Sequence, residues 1–305
     1  MLASDRTYRT QLAVALTSLL QQHTGGDDFE VYILTSDIVE NERSQIVAGL
    51  NSSVPIHWVD VPSAWYEGLR IIAYLTVTTA FRLMMAEVLP TTIKRVVYLD
   101  ADTLIRNPLT ELFTTDLCGH VLGAVQDAGH PWVATVHSLP WRTLALDPAA
   151  MYFNGGVLAV DLDAWRAQNV GKQALDLLRT YKFAYADQCA LNATLRGHFL
   201  SLPPRFNAQS DHFSPKDNGL VYVAVPEIER SLVTSDPAIV HFSNGGFHSI
   251  RPWFEGSRHR FADEWLTVLA QTAFADQPLL KLPSQTRRDT ARQRLKRAAY
   301  ILARG

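Results

Sequence analysis

The chain has 305 residues, 47% of them hydrophobic and 19% charged, with a formal net charge of −2 and a pI near 6.5. That length buries a good core as one large domain or two modest ones, and the balanced charge excludes the global basic field of a nucleic-acid binder. Two cysteines, Cys118 and Cys189, exclude a disulfide framework and suit a reducing compartment.

Residues 9–22 carry Leu12, Leu16, Leu19 and Leu20 at helical spacing, which predicts an amphipathic helix after a very short opening segment. Phe29–Leu34 predicts a strand, Glu40–Leu50 a helix, and Ile56–Val61 a strand ended by Pro62. Thr76–Val88 has a helical pattern that stops at Pro90. An apolar run then enters Asp100, and further strands are expected at His120–Gln126 and Gly156–Asp161. Helices fit Leu162–Ala167, Gly171–Tyr181 and Asp187–Leu195. Strands alternating with helices over the first hundred residues predict an α/β sheet, parallel at least in that half. The stretch Gln277–Thr286 divides a domain over 1–276 from a basic tail over 277–305. No apolar run reaches the roughly 20 residues that span a bilayer, and no charged region followed by an apolar core opens the chain. A cytoplasmic protein is expected.

The segment RVVYLDADTLIRNPL, Arg95–Leu109, carries the most chemistry. Val96, Val97, Tyr98 and Leu99 fit a strand buried on both faces, and Asp100 and Asp102 follow at once. Side chains two apart on a strand point the same way, so both carboxylates face one spot. Adjacent carboxylates resist ionisation unless a cation sits between them, and oxygen ligands suit Mg²⁺ or Mn²⁺ completed by phosphate. Two solvated acids at a strand-end turn are the plainer alternative.

Four further segments bear on that choice. Asp127 follows the apolar run Val121–Val125. In YFNGGVLAVDLDAWR, Tyr152–Arg166, the pair Gly155-Gly156 allows close backbone approach and Asn154 adds an amide, although Asn-Gly-Gly also reads as a tight turn. Asp187-Gln188 opens a helix, where a carboxylate is also a common cap. In IVHFSNGGFHSIRPWF, Ile239–Phe254, His241 is a third ligand or a core histidine, and Arg251 grips phosphate or stacks on Trp253.

This order of motifs resembles the family 8 glycosyltransferases, retaining enzymes of GT-A fold that include bacterial lipooligosaccharide galactosyltransferases and glycogenin. The resemblance runs from about Ala3 to Trp253 and is most specific in YLDADTLIRNPL, YFNGGVLAVDL, Asp187-Gln188 and the His…Gly…Arg-Pro-Trp segment. It implies a Rossmann-like mixed sheet flanked by helices. Manganese, or magnesium in its place, would be bound by Asp100, Asp102 and His241, and would hold the diphosphate of UDP-galactose or UDP-glucose. Ala3, Asp5, Thr7 and Tyr8 match the uridine segment, Tyr8 stacking on uracil and Asp5 accepting from its ring N–H. Ala101 lies between the two carboxylates on the donor side, and Arg82 falls near the donor sugar and diphosphate. Asp127, Asn154, Gly155, Asp187 and Gln188 fall at the sugar hydroxyls and the reacting centre, with Asp127, Asp187 and Gln188 in the catalytic role. Gly245, Gly246 and Arg251 fall on the diphosphate loop.

The implied activity is transfer of a hexose to a glycan or glycolipid acceptor with retention. Alternatives are a metal-dependent nucleotidyltransferase and a catalytically silent UDP-sugar-binding protein. Departures from the family are a first strand reduced to the stub Met1-Leu2-Ala3, Thr7 for Asn, Arg251 where Lys is common, a longer diphosphate loop, and Cys189 after the Asp-Gln pair. Aromatics of residues 128–150, with Trp132 and Trp141 among them, form an acceptor-side loop or pack on the domain. The tail sets seven basic residues against one acid, Asp289, over 287–304, and places Ala291, Leu295, Ala298 and Leu302 at helical spacing. Such a helix suits peripheral contact with the anionic inner face of a membrane.

Overall fold

Alternation along Arg95–Asp100 sets the layers: Val97 and Leu99 pack into one apolar cluster, Val96 and Tyr98 into another, and all four are buried. The computed structural model describes residues 1–23, 29–50, 52–72, 75–213, 227–243 and 251–281. In chain order its strands are β1 (Leu2–Ala3), β2 (Val31–Thr35), β3 (Ile56–Asp60), β4 (Arg95–Asp100) and β5 (Thr103–Ile105). They continue with β6 (Leu122–Gln126), β7 (Phe153–Asp161), β8 (Leu200–Ser201), β9 (Ala208–Gln209) and β10 (Ile239–His241).

The main sheet runs β3-β2-β1-β4-β7-β6-β8. The expected parallel half is present, since β3, β2, β1 and β4 are mutually parallel. β7 is antiparallel to both β4 and β6, which makes the sheet mixed. Leu2 and Ala3 are more than a stub. They sit between Ile33 and Leu34 on one side and Leu99 and Asp100 on the other, so β1 keeps its place at mid-sheet. A second sheet, β5-β10-β9, lies across the chain's turn after Asp100.

Most predicted elements fall within two or three residues of their expected bounds. The departures have local causes. The helix Arg9–Gln21 is buried continuously from Thr10 to Leu19, so it is a core helix rather than an amphipathic surface one. It lies against β5 and the helix Ala262–Leu269, where Ser18 Oγ accepts from the Ile105 N–H at 3.1 Å. Thr76–Val88 is a 3₁₀ helix over Val77–Met84 that becomes α-helical only over Met85–Val88. Its β-branched start, Val77-Thr78-Thr79, is poorly suited to an α-helical turn. Asn154-Gly155-Gly156 is not a turn but part of β7, which begins three residues earlier than expected, at Phe153.

Residues 128–150 pack on the domain through buried Val133, Val136, Leu139 and Leu146. The predicted basic tail lies outside the described residues beyond Lys281, as do Gly245 and Gly246. No described helix is long and apolar enough to cross a membrane.

Candidate active site

The site forms where β4 ends and the second sheet folds back across it. After Asp100 the chain turns through Ala101 and Asp102 into β5, and the turn is pinned by Thr103 Oγ1 donating to the Asp100 carbonyl at 2.8 Å. β10 pairs antiparallel with β5 and sets His241 opposite Thr103. The Phe242 N–H donates to the Asp102 carbonyl at 2.9 Å, locking the histidine strand to the acidic turn.

Asp100, Asp102 and His241 thereby converge, one ligand atom from each lying within 4.8 Å of the others. His241 Nε2 is 3.3 Å from Asp102 Oδ1 and 3.7 Å from Asp100 Oδ2. Neighbouring ligands on an octahedral ion at roughly 2.1 Å stand about 3 Å apart, so the three atoms fit one small divalent cation with little movement. Two carboxylates and an imidazole also suit a divalent cation chemically. Burial pushes Asp102 up, but His241 and the Arg251 guanidinium outweigh it and hold the carboxyl below its ordinary value. Asp102 is therefore ionised and ready to ligate.

Gly156 makes the convergence possible. A Cβ there would lie 2.2 Å from His241 Cε1 and 2.9 Å from Asp100 Oδ2, and its φ is not in the left-handed region. The glycine serves space, not backbone conformation. Gly155 plays a milder version of this part, its Cβ position lying 3.0 Å from Arg82 Nη1.

Arg82 is the buried cation on the other side. It donates to Asp100 Oδ1 at 2.7 Å through Nη2 and to the Gly155 carbonyl through Nη1, and its face covers the Tyr98 ring. Its Nε lies 2.8 Å from Asp187 Oδ2, but that N–H is aimed at the Thr79 carbonyl, so the Asp187 contact is a charge contact rather than an aligned hydrogen bond. One guanidinium thus serves two carboxylates, Asp187 buried and Asp100 partly exposed. Arg82 stays protonated, and burial pushes Asp187 up to about 6 against the pull of Arg82.

That shift has a stability consequence with a definite sign. An acid whose folded pKa, about 6, exceeds its ordinary 3.8 binds its proton more tightly when folded. Its contribution is full below its unfolded pKa and lost as pH rises towards 6. We expect Asp187→Asn to stabilise the metal-free chain by about 1–3 kcal/mol at pH 7.5 and by almost nothing at pH 4. Denaturant melts at the two pH values check this, and equal changes at both would refute it.

Asp187 is not the helix cap. It lies one residue inside the helix Ala186–Leu195, whose N-cap is Tyr185. Gln188 is held at both ends of its amide: Oε1 accepts from the Gly155 N–H and Nε2 donates to Asp127 Oδ2, each at 3.0 Å. Asp127 Oδ2 also accepts from Asn154 Nδ2 at 3.1 Å, and Oδ1 accepts from the N–H groups of Gly129 and His130 at 3.0 and 2.7 Å. Asp127 is a hub that orders its neighbours. Beside it His130 Nε2 meets the hydroxyl of half-exposed Tyr185 at 3.0 Å.

At the end of β1, Asp5 Oδ1 accepts from the N–H groups of Thr7 and Tyr8 at 2.9 and 3.3 Å and so caps the next turn, leaving Oδ2 near Thr78. Arg251 Nη1 donates to the Tyr8 hydroxyl at 2.7 Å, and Nη2 lies 3.7 Å from Asp102 Oδ2. Arg251 also lies over the Trp253 ring, the stacking expected of it.

Sequence reasoning missed two contributors. Tyr98 donates to Asp100 Oδ1 at 2.7 Å, and strand alternation sufficed to find it, because it lies two residues before Asp100. Asn207, bonded to both His241 and Asn154, had no signal: it ends a short 3₁₀ turn, Pro204–Asn207, far from either partner in sequence. Cys189 is buried against the Tyr152 hydroxyl and pushed up to about 12 by burial, which makes it a packed residue and a poor nucleophile.

Comparison with known proteins agrees with this geometry. The sequence model described as "Glycosyl transferase family 8" matches residues 1–256. General stress protein A of Bacillus subtilis is 24% identical over 275 residues, which make up 88% of this chain and 92% of the relative. A lipopolysaccharide 1,2-glucosyltransferase of Escherichia coli K12 is 27% identical over 184 residues, 57% of this chain and 48% of that protein's length. The crystal structure of the galactosyltransferase LgtC in complex with donor and acceptor sugar analogs superposes with a TM-score of 0.73 at 25% identity, covering 94% of this chain and 98% of its own.

Proposed function

The chain belongs to glycosyltransferase family 8 and has the GT-A fold, and on that premise we propose that it moves a hexose, galactose or glucose, from a UDP-sugar to a saccharide or glycolipid acceptor with retention of configuration. The observation that carries this reading is the convergence of Asp100, Asp102 and His241 beside the buried Arg82 and the Asp127–Gln188 pair.

Bound at the first three residues, Mn²⁺ or Mg²⁺ supplies Lewis-acid neutralisation of the charge that builds on the departing phosphate. Arg251 reaches the same spot from the side of Tyr8 and adds a fixed positive charge to it. Tyr8, Asp5, Thr7 and Ala3 at the β1 end receive the uridine, with Asp5 offering the oxygen that capping leaves over. Among the described residues Asn154 has one amide hydrogen still to give, since Oδ1 is filled by the Gly156 N–H and Asn207 and the other amide hydrogen goes to Asp127. That hydrogen and the Asp187 carboxylate orient the donor sugar.

Retention favours same-face transfer over a covalent intermediate. A double displacement needs a free carboxylate below the anomeric carbon. Gln188 offers an amide whose oxygen is already bonded, Asp127 accepts four hydrogen bonds, and Asp187 is tied to Arg82. The leaving phosphate then takes the acceptor's proton while Gln188 positions the reacting groups. His130, Tyr185 and Trp132 line the acceptor side, and lipopolysaccharide or a related surface glycan is the acceptor class. The catalytic unit spans residues 1–276, and the basic tail 277–305 docks it on an anionic membrane, on the strength of seven basic residues against one acid over 287–304.

The test is product release with a panel of UDP-sugars, manganese and a saccharide acceptor. Release of UDP with one hexose donor, abolished by chelation, is the expected result. Pyrophosphate in place of UDP would make the chain a nucleotidyltransferase. Binding without release would make it a silent partner, seen as thermal stabilisation of about 2.7 kcal/mol at a hundredfold excess over Kd with no turnover.

A further inference from the structure

An unbroken row of four side chains joins the reacting centre to the cation cluster. Asn154 Nδ2 donates to Asp127 Oδ2 at 3.1 Å, Asn207 Nδ2 donates to Asn154 Oδ1 at 2.9 Å, and Asn207 Oδ1 faces His241 Nδ1 at 2.9 Å. The sense of the row follows from its ends. Asp127 also accepts from the Gly129 and His130 N–H groups and from Gln188 Nε2, so Asn154 turns its amide nitrogen to this acceptor and its oxygen away. The Gly156 N–H, 3.0 Å from Asn154 Oδ1, fixes the same sense. Asn154 Oδ1 therefore receives a hydrogen from Asn207, which leaves the Asn207 carbonyl facing His241. Two acceptors do not face each other at hydrogen-bond distance, so Nδ1 of His241 carries a hydrogen. Nε2 is then the ring nitrogen left to ligate, and it is the one beside Asp100 and Asp102.

Asn207 is fully buried, and His241 is 4% exposed. Asn207 ends a 3₁₀ turn at Pro204–Asn207, just before β9, which pairs with β10 and sets Gln209 against His241. The same sheet thus delivers both the ligand and the group that holds it. Gln209 ties this segment back towards Asp127, because its Oε1 accepts from the Ala128 N–H at 2.8 Å and its Nε2 donates to the Gln126 carbonyl at 2.9 Å.

We propose that Asn207 is a positioning residue for the cation site, fixing the ring plane and protonated nitrogen of His241, and that Asp127 sets its sense through Asn154. Partners of ligating histidines act in this way in many metal sites, and their loss costs roughly 10- to 100-fold in metal affinity. The proposal rests on the metal reading of Asp100, Asp102 and His241, and the tests below separate the two.

The full chain is titrated with Mn²⁺ alone, the free ion being read by electron paramagnetic resonance. Asn207→Leu keeps the size and removes both hydrogen-bonding groups, and it is expected to weaken binding roughly 10- to 100-fold. Asn207→Asp keeps an acceptor for the Nδ1 hydrogen but sets an oxygen against Asn154 Oδ1, so it is expected to bind Mn²⁺ less tightly than the unaltered chain and more tightly than Asn207→Leu. In the metal-free, nitrogen-15-labelled chain, His241 should give a one-bond Nδ1–H correlation that disappears in Asn207→Leu. An unprotonated Nδ1 in the unaltered chain overturns the proposal even if Asn207→Leu does not fold. Unchanged Mn²⁺ affinity in folded Asn207→Leu, with Asp102→Asn weakened, overturns the positioning role and leaves the metal reading standing. Unchanged affinity in Asp102→Asn removes the metal reading, and the positioning role with it.

Discussion

Asp102→Asn should lower metal-dependent turnover by about 1,000-fold or more, while the protein still folds. The factor corresponds to about 4 kcal/mol of transition-state stabilisation, a reasonable share for Lewis-acid neutralisation of a leaving diphosphate. Asparagine keeps the shape and one oxygen but removes the charge that makes the cluster a cation site. The fold should tolerate the change because the Asp102 backbone, not its side chain, holds the turn: its carbonyl still accepts from the Phe242 N–H. Some metal-free stability is lost at neutral pH. A carboxyl held below its ordinary value contributes stability above its unfolded pKa, and that contribution disappears as pH falls through the folded value. Turnover within threefold of the unaltered chain, at matched circular dichroism, would remove the metal assignment.

How much of this was legible depends on the length of each element. β4 is six residues, four apolar side chains in a row ending in an acid, long enough for its burial and its carboxylates to be read together. β5, β9 and β10 are two or three residues each, too short for any period to be counted. The second sheet was therefore invisible, and with it the reason His241 reaches Asp102. The ligand was nameable only through the motif order. Arg82 was placed by resemblance near the donor, and nothing in TTAFRL announced that it would neutralise Asp100 and Asp187 at once. Asp127 and Gln188 stand 61 residues apart in the sequence with nothing local to link them, whereas in the fold they are bonded to each other.

The glycines show the same limit from the other side. Gly155-Gly156 after Asn154 carries every local mark of a turn, because sequence alone weighs glycine by backbone freedom. Here the tertiary contact decides: the pair lies within β7, where its pairing with β6 shifts register, and the missing Cβ is space occupied by another strand's histidine.

Gly156→Ala is accordingly the substitution that tests the assembly most sharply. In an ordinary strand it would gain about 0.5–1 kcal/mol, because glycine loses more freedom on folding than alanine. The added methyl here lies 2.2 Å from His241 Cε1, 2.6 Å from Nδ1 and 2.9 Å from Asp100 Oδ2. Carbon atoms in contact sit roughly 3.5–4.0 Å apart, so the ring must retreat by more than about 1 Å. Neither neighbour yields easily. His241 is anchored by Asn207, and Asp100 by Arg82 and Tyr98. The clash, at about 1–3 kcal/mol for overpacking, outweighs the gain from lost glycine freedom, so a net loss of stability is expected. A ligand displaced by that much should cost roughly 10- to 100-fold in Mn²⁺ affinity, and turnover of the order of 100-fold. Denaturant melts, Mn²⁺ titration and UDP release measure the three effects separately. A variant that is more stable and binds Mn²⁺ as tightly as the unaltered chain would mean that His241 does not occupy the space this glycine leaves.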